Sequence, residues 1–510
     1  MEGFISDTWA YDVSIQHGET NRVNSNAGYT NVANIANALN AVSETECQTG
    51  GSACVPLNIF GGFGTITPEM AAYASATAFS TTEYQQRVFS AIIDGPFESV
   101  VSPLAESSLA MSFGYEYREE IANFNPDECL KLAPASCLGG AGGNSLPVGG
   151  SFKVNEIFAE GKLPLVENTT MVDILELEFG YRHANYDTVG EVGSWKLGLA
   201  WRPADQLLLR VMKQQATRAP NVGELFAPLT SGLDNANQDP CSVANAGNID
   251  ATLQARCIST GMTAAQVGAV DDIVSGQINV LSGSNPNALP DAETADTMTV
   301  GFVWTPEFDL VKRAQLSVDY YDIDVNGYIG TNTPQEILDG CYVLGNASQC
   351  AQINRIGGGL TISGSGVEAY TTNLSYLQTS GIEVAFNFGF DLDSYGSLDF
   401  SGNINKYLEV ESLSSPVSEV IDCNGYYGTN CDPQHELRAT QRTTWNYEDL
   451  SVSVLWRYLG SIEREPAQQA ATFEPFREIS SYSYFDLYAN YFITDGISVS
   501  FGVDNLLDKS

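Results

Sequence analysis

The chain has 510 residues and a formal charge of −39, with only 17% charged residues and 47 glycines beside 24 tyrosines and 23 phenylalanines. That acid excess excludes a nucleic-acid backbone as the main partner, because like charges repel. No run approaches the roughly 18 consecutive apolar residues of a membrane helix.

The opening "MEGFISDTWAYDVS" has neither the basic start nor the apolar core of a signal peptide. Period-2 alternation then recurs to the end and predicts about fifteen strands. The first, 7–17, precedes a long segment, 18–81, carrying Cys47 and Cys54. Strands at 82–94 and 106–121 lead to the segment 122–150 with Cys129 and Cys137. Strands follow at 151–164, 171–186, 191–203 and 205–217. In this stretch Leu175, Leu177, Phe179 and Tyr181 oppose Glu176, Glu178, Gly180 and Arg182, and Trp195, Leu197, Leu199 and Trp201 oppose Lys196, Gly198, Ala200 and Arg202. One face is greasy and aromatic, the other small, polar or charged.

The segment 218–292, with Cys241 and Cys257, shows no periodicity and reads as loop. Strands 293–304 and 312–325, the segment 326–366 with Cys341 and Cys350, and strands 367–391 and 396–411 come next. The segment 412–434 holds Cys423 and Cys431; strands 435–447 and 450–460, a segment 461–480 and strands 481–493 and 496–505 complete the pattern. Tight links ("RPAD", "PEFDLVKR", "DLDSYG", "NYEDL", "TDG") alternate with the long segments. If successive strands run up and down, every tight link falls at one end and every cysteine pair at the other. That is the plan of an all-β, transmembrane antiparallel up-and-down barrel with a polar interior and long extracellular loops. None of the five neighbouring cysteine pairs has C-x-x-C spacing, so they suit disulfides that staple loops in an oxidising compartment rather than zinc or redox sites. The chain is therefore expected to be exported.

With this architecture reached, three motifs gain meaning. "LLLRVMKQQATRAPNVGELFAP" resembles the strand-end signature of TonB-dependent outer-membrane receptors, carried by Arg218, Ala219, Pro220 and Asn221, with Thr217 where the family usually has Phe. "NPNALPDAETADTMTVGFVW" is similar to the signature that restarts the barrel: Asn285, Pro286, Asn287, Leu289 and Pro290 match, Ala288 is extra, and Asp291 takes the acidic place. "ISVSFGVDNLLDKS" is similar to the family's penultimate strand. The resemblance covers the whole chain. It implies residues 1–510 as a partial receptor barrel of an expected complement of about 22 strands, without the plug domain and the last strand. It also implies the outer membrane of a Gram-negative bacterium, lipid and the TonB complex as partners, a monomer, and energised uptake of an iron–siderophore, cobalamin or an oligosaccharide. A passive porin or adhesin barrel is the alternative. Pro220, lacking an N–H, ends ladder pairing, and Arg218 suits carbonyls or carboxylates left open at the rim.

Enzyme chemistry finds little support. The only histidines are His17, His183 and His435, and no Gly-x-Ser-x-Gly elbow exists. No cofactor is expected. "DIDVNG" from Asp322 to Gly327 opens like a calcium loop, but Thr333 stands where a bidentate Glu is needed. "GGAGGNSLPVGG" from Gly139 lacks the Lys-Ser/Thr of a phosphate loop and reads as surface. No His lies between Asn221 and Asn285, which disfavours haem capture there. Tyr342, Tyr426, Tyr427 and Asp422 read first as solvated loop side chains that bind nothing; as ligand contacts they could meet a sugar or a cationic chelate.

Overall fold

The computed structural model describes residues 1–132, 136–139, 144–273, 276–308, 311–414, 418–428, 430–470 and 472–509. Fifteen long strands build one sheet: β1 (Ala10–Asn31), β2 (Ser75–Val101), β3 (Ser108–Pro126), β4 (Val148–Thr169), β5 (Val172–Tyr186), β6 (Gly190–Ala204), β7 (Leu207–Arg218), β8 (Glu293–Trp304), β9 (Val311–Asn326), β10 (Tyr376–Asp391), β11 (Ser397–Leu413), β12 (Leu437–Tyr447), β13 (Leu450–Leu459), β14 (Tyr482–Thr494) and β15 (Ile497–Val503). Each pairs antiparallel with its sequence neighbours. Among the described residues no pairing joins β15 to β1, so the sheet is open there. Odd strands run toward one end, where all five cysteine pairs lie; even strands return to tight links such as 170–171, 205–206 and 448–449.

The two faces separate as the alternation requires. Across β8 to β11 the outward rows are Phe302–Val318–Val384–Ile404 and Val300–Tyr320–Ile382–Lys406; nearer the long loops come Met298–Asp322–Ser380–Glu409 and Asp296–Asp324–Gln378–Glu411. An apolar band thus gives way to carboxylates where strands leave the hydrocarbon. The Trp195–Trp201 row is not covered by a second sheet: Leu197 is 51% exposed and Trp201 36%. At the tight-link end Trp201 and Trp445 donate their indole N–H groups to the turn carbonyls of Met171 (3.2 Å) and Tyr395 (2.9 Å). This is how amphipathic rings sit at a lipid–water boundary.

The opposite face is polar and concave. Strands β5 to β11 together line one cavity of about 820 Å³ with Glu178, Arg210, Asp319, Glu383 and Asn405. Arg210, Gly301, Asp319, Glu383 and Asn405 are neighbours in register across it. Arg210 reaches over β8 to Asp319 at 2.9 and 2.7 Å. That reach depends on Gly301, where an added Cβ would collide with Asp319 Oδ1.

Three expectations are corrected. The first hairpin is far taller than 7–17 and 82–94: β1 has 22 residues and β2 has 27. A tilted strand crosses the hydrocarbon with about 9–11 residues, so much of this hairpin stands in water, where the ladder holds without an apolar face and the alternation fades. The segment 367–391 is two strands, Gly366–Asn373 and β10, because the first leaves the barrel for another sheet. Finally, 218–292 is a structured segment rather than an irregular loop.

Candidate functional site

The opening of the large loop is built by the sequence Arg-Ala-Pro-Asn. β7 ends at Arg218 and Pro220 is fully buried. Asn221 caps the short helix Val222–Phe226: its side chain accepts from Glu224 N at 3.0 Å, while Glu224 Oε2 accepts from Asn221 N at 2.7 Å, a reciprocal capping box. Arg218 then clamps both carboxylates of the rim, Glu224 at 2.9 and 3.1 Å and Glu293 at 2.6 and 3.1 Å. Glu293 opens β8 and also accepts from Ile329 N at 2.8 Å, so one guanidinium ties the ends of β7, β8 and β9. Thr217 donates its hydroxyl to Gly193 O at 2.8 Å. The second motif makes a turn in which Asn285 accepts from Asn287 N with its side chain and from Ala288 N with its carbonyl, each at 3.0 Å; the extra Ala288 completes that turn. Pro290 is buried, and Leu289 is exposed. Asp291 N donates to Asn373 Oδ1 at 2.7 Å, and Asn373 Nδ2 returns a bond to Asp291 O at 3.0 Å.

Between these motifs the chain forms half of a cap. Residues 219–292 and 327–375 share a five-stranded sheet in which Gln277–Ser284 pairs in parallel with Gly366–Asn373. Its core draws Ile278 and Val280 from the first segment and Ile337, Leu338, Tyr342 and Val367 from the second. The helix Pro334–Tyr342 starts from another capping box, Thr333 with Glu336. At the centre, Arg355 makes a two-pronged bond to Asp239 (2.7 and 2.6 Å), with side chains 0% and 4% exposed. Arg355 Nε donates to the Tyr342 hydroxyl at 2.8 Å and its guanidinium lies 5.2 Å from that ring's centre. The Tyr342 and Thr260 hydroxyls bond at 2.7 Å. Burial pushes the Tyr342 phenol above its ordinary range, and burial does the same to the Asp339 carboxyl on the same helix.

The five disulfides are Cys47–Cys54, Cys129–Cys137, Cys241–Cys257, Cys341–Cys350 and Cys423–Cys431, each closed within a single loop. Loops 414–436 and 460–481 also join, through the parallel pair Tyr426–Tyr427 with Ile462–Arg464. There Arg464 lies over the Tyr427 ring at 5.3 Å, and the Tyr427 hydroxyl donates to Phe476 O. Asp422 accepts from Asn424 N at 2.8 Å.

Of the loop residues suggested as ligand contacts, Tyr342 is core, 1% exposed; Tyr426 and Tyr427 stand in the second loop sheet, and Asp422 pairs with Glu411 at the end of β11. The histidines are not brought together: His17 is on β1, His183 on β5, and His435 precedes β12 with Nδ1 2.5 Å from Gly460 O. Asp322 and Asp324 belong to β9 and Thr333 caps a helix, so the "DIDVNG" run is a strand end. Gly139 packs on the Tyr29 ring, and 140–143 lie outside the described residues. Asp239 and Arg355 escaped the sequence reading; the only signal is their proximity to cysteines of the two loops.

Comparison with known proteins agrees with this geometry. The chain resembles in fold a point mutant of the ferric enterobactin receptor PfeA of Pseudomonas aeruginosa (TM-score 0.56, 15% identity, 99% of this chain and 55% of that one). It is similar to the siderophore receptor PirA of Acinetobacter baumannii (TM-score 0.55, 14% identity, 100% and 57%). It is likewise similar to P. aeruginosa FpvA bound to a heterologous pyoverdine (TM-score 0.53, 10% identity, 100% and 51%). The chain therefore spans about half the length of the solved structures it matches. No curated protein matches it in sequence. The family model "TonB dependent receptor-like, beta-barrel" matches residues 3–506. Barrel, rim motifs and match together place the chain in the TonB-dependent receptor family, whose members are outer-membrane barrels of Gram-negative bacteria.

Proposed function

We propose that this chain is the barrel part of a receptor that captures a scarce nutrient at the cell surface and admits it with energy delivered through TonB. The observation that carries the reading is the cap. Two loops separated by two strands share one buried core at the extracellular end of a polar lumen, which suits holding a ligand over a gated path. In the whole receptor a plug fills the lumen and TonB pulls on it; the barrel is a monomer in contact with outer-membrane lipid. The neighbours' siderophores do not transfer, since 10–15% identity speaks for fold alone.

The test is uptake by cells carrying the whole receptor. Accumulation of its ligand should stop when TonB is deleted or the inner-membrane proton gradient is collapsed, while surface binding persists. Accumulation that continues after both treatments makes the barrel a passive porin and refutes energised uptake. Replacing His17, His183 and His435 together should leave uptake intact; its loss would reopen a catalytic role.

A further inference from the structure

Within the cap, between the Asn285–Ala288 turn and the strand Gly366–Asn373, lies a second cavity of about 700 Å³, a size typical of small-molecule sites, about 300–1,000 Å³. Its wall carries amides and hydroxyls: Asn332, then Asn346, Gln349 and Gln352 from the segment in and just after the Cys341–Cys350 staple, and Thr371 and Asn373 from the strand, with Leu374 among them. Among the described residues that line it there is no lysine, arginine or histidine, and Glu368 is the single carboxylate. Glu368 accepts a hydrogen bond from the Tyr370 hydroxyl, which sets an acceptor beside an aromatic ring on the same wall.

The chemistry of this wall selects among ligand classes. An anionic chelate needs arginine or lysine to replace its lost hydration, and this wall has neither, in a chain of charge −39. A largely apolar ligand needs an apolar lining. Amides both donate and accept, as sugar hydroxyls do, and an aromatic ring beside a carboxylate suits a sugar's apolar face and its hydroxyl edge. We propose that the cavity binds a neutral oligosaccharide and that this is the nutrient taken up. The proposal rests on the receptor reading for uptake, and on the cavity alone for binding.

Titration of the full chain in detergent micelles with neutral oligosaccharides (α-glucan, β-glucan, xylan and mannan oligomers) tests it by calorimetry. At least one should bind measurably below about 1 mM. The Asn332→Leu and Gln352→Leu variants should each weaken that binding about tenfold, with unchanged strand circular dichroism and unchanged melting. Should either variant fail to fold, Asn332→Asp and Gln352→Glu, which keep the size and alter the hydrogen bonding, replace it. Failure of every oligomer, affinity indifferent to both substitutions, or binding of a ferric chelate weakened by them would overturn the assignment. Energised uptake is read separately in cells. Sugar binding without TonB-dependent accumulation would sink the uptake reading and leave the cavity assignment standing.

Discussion

Replacing Arg355 with methionine should loosen the cap and spare the barrel. The substitution leaves the Asp239 carboxylate, 4% exposed, with its cationic partner gone. It also removes the donors to the Tyr342 hydroxyl and Gly358 O, each bonded at 2.8 Å. Two unit charges about 4 Å apart interact by roughly 4 kcal/mol at an effective dielectric constant near 20, and removing one partner of a buried pair typically costs about 3–5 kcal/mol. Most of that cost is the stranded charge. Asp239→Asn combined with Arg355→Met should therefore recover most of it, since the amide oxygen introduced at that position can still accept from Cys241 N, as the aspartate does at 2.9 Å. Hydrogen exchange on the protein in detergent gives the readout. Amides of Ile278, Val280 and Val367 should lose protection in the single variant and regain it in the double, while Val318 on β9 stays protected. Unchanged exchange at the cap strands, or loss spread equally through β9, would refute the placement of this pair as the cap's keystone.

Other predictions concern the rim, the lumen and pH. Asp339→Asn should stabilise the cap at pH 7: a carboxyl whose folded pKa is raised favours folding in its neutral form, and that contribution is complete below its unfolded value of about 4 and lost above it. The advantage seen in hydrogen exchange should therefore shrink toward zero near pH 4. Tyr342, also raised by burial, should give a loss of cap protection as pH climbs above about 10, which Tyr342→Phe abolishes. Gly301→Ala places a Cβ against Asp319 Oδ1 and 2.5 Å from Val318 O. It should destabilise the barrel by about 1–3 kcal/mol, seen as a lower temperature for the heat-induced mobility shift on gels. Arg218→Lys cannot hold Glu224 and Glu293 with a fork apiece, and protease should then cut sooner between Ala219 and Pro228.

The strands were legible because lipid and water sort residues one by one. Val300 and Phe302 must face outward, Gly301 and Asp319 inward, and an alternating string records that choice. Where β1 and β2 rise into water the sorting stops, and "HGETNRVNSNAGYTN" carries no trace of the ladder it forms. The cap was illegible for a different reason. Ile278 and Val280 find their partners near residues 337–367, and neither segment alone has enough apolar residues at a regular spacing to announce a core. Tyr342 therefore looked like a surface aromatic available to a ligand, whereas its ring is sealed against Arg355. The Arg218 clamp lay between: Pro220 and Asn221 signalled a strand end, but Glu293, 75 residues on, becomes a partner only through the pairing of β7 with β8.

Because every cystine is local, spanning from 7 to 16 residues, no disulfide runs from one arm of the lid to the other. Each arm is a pre-shaped jaw, while the grip between the jaws is non-covalent: parallel strand bonds, apolar contacts, the Asp239–Arg355 ion pair and side-chain hydrogen bonds such as that of Thr260 with Tyr342. Such a clasp can part and re-engage repeatedly under constant oxidising conditions, without an isomerase, and each jaw keeps its shape through the cycle.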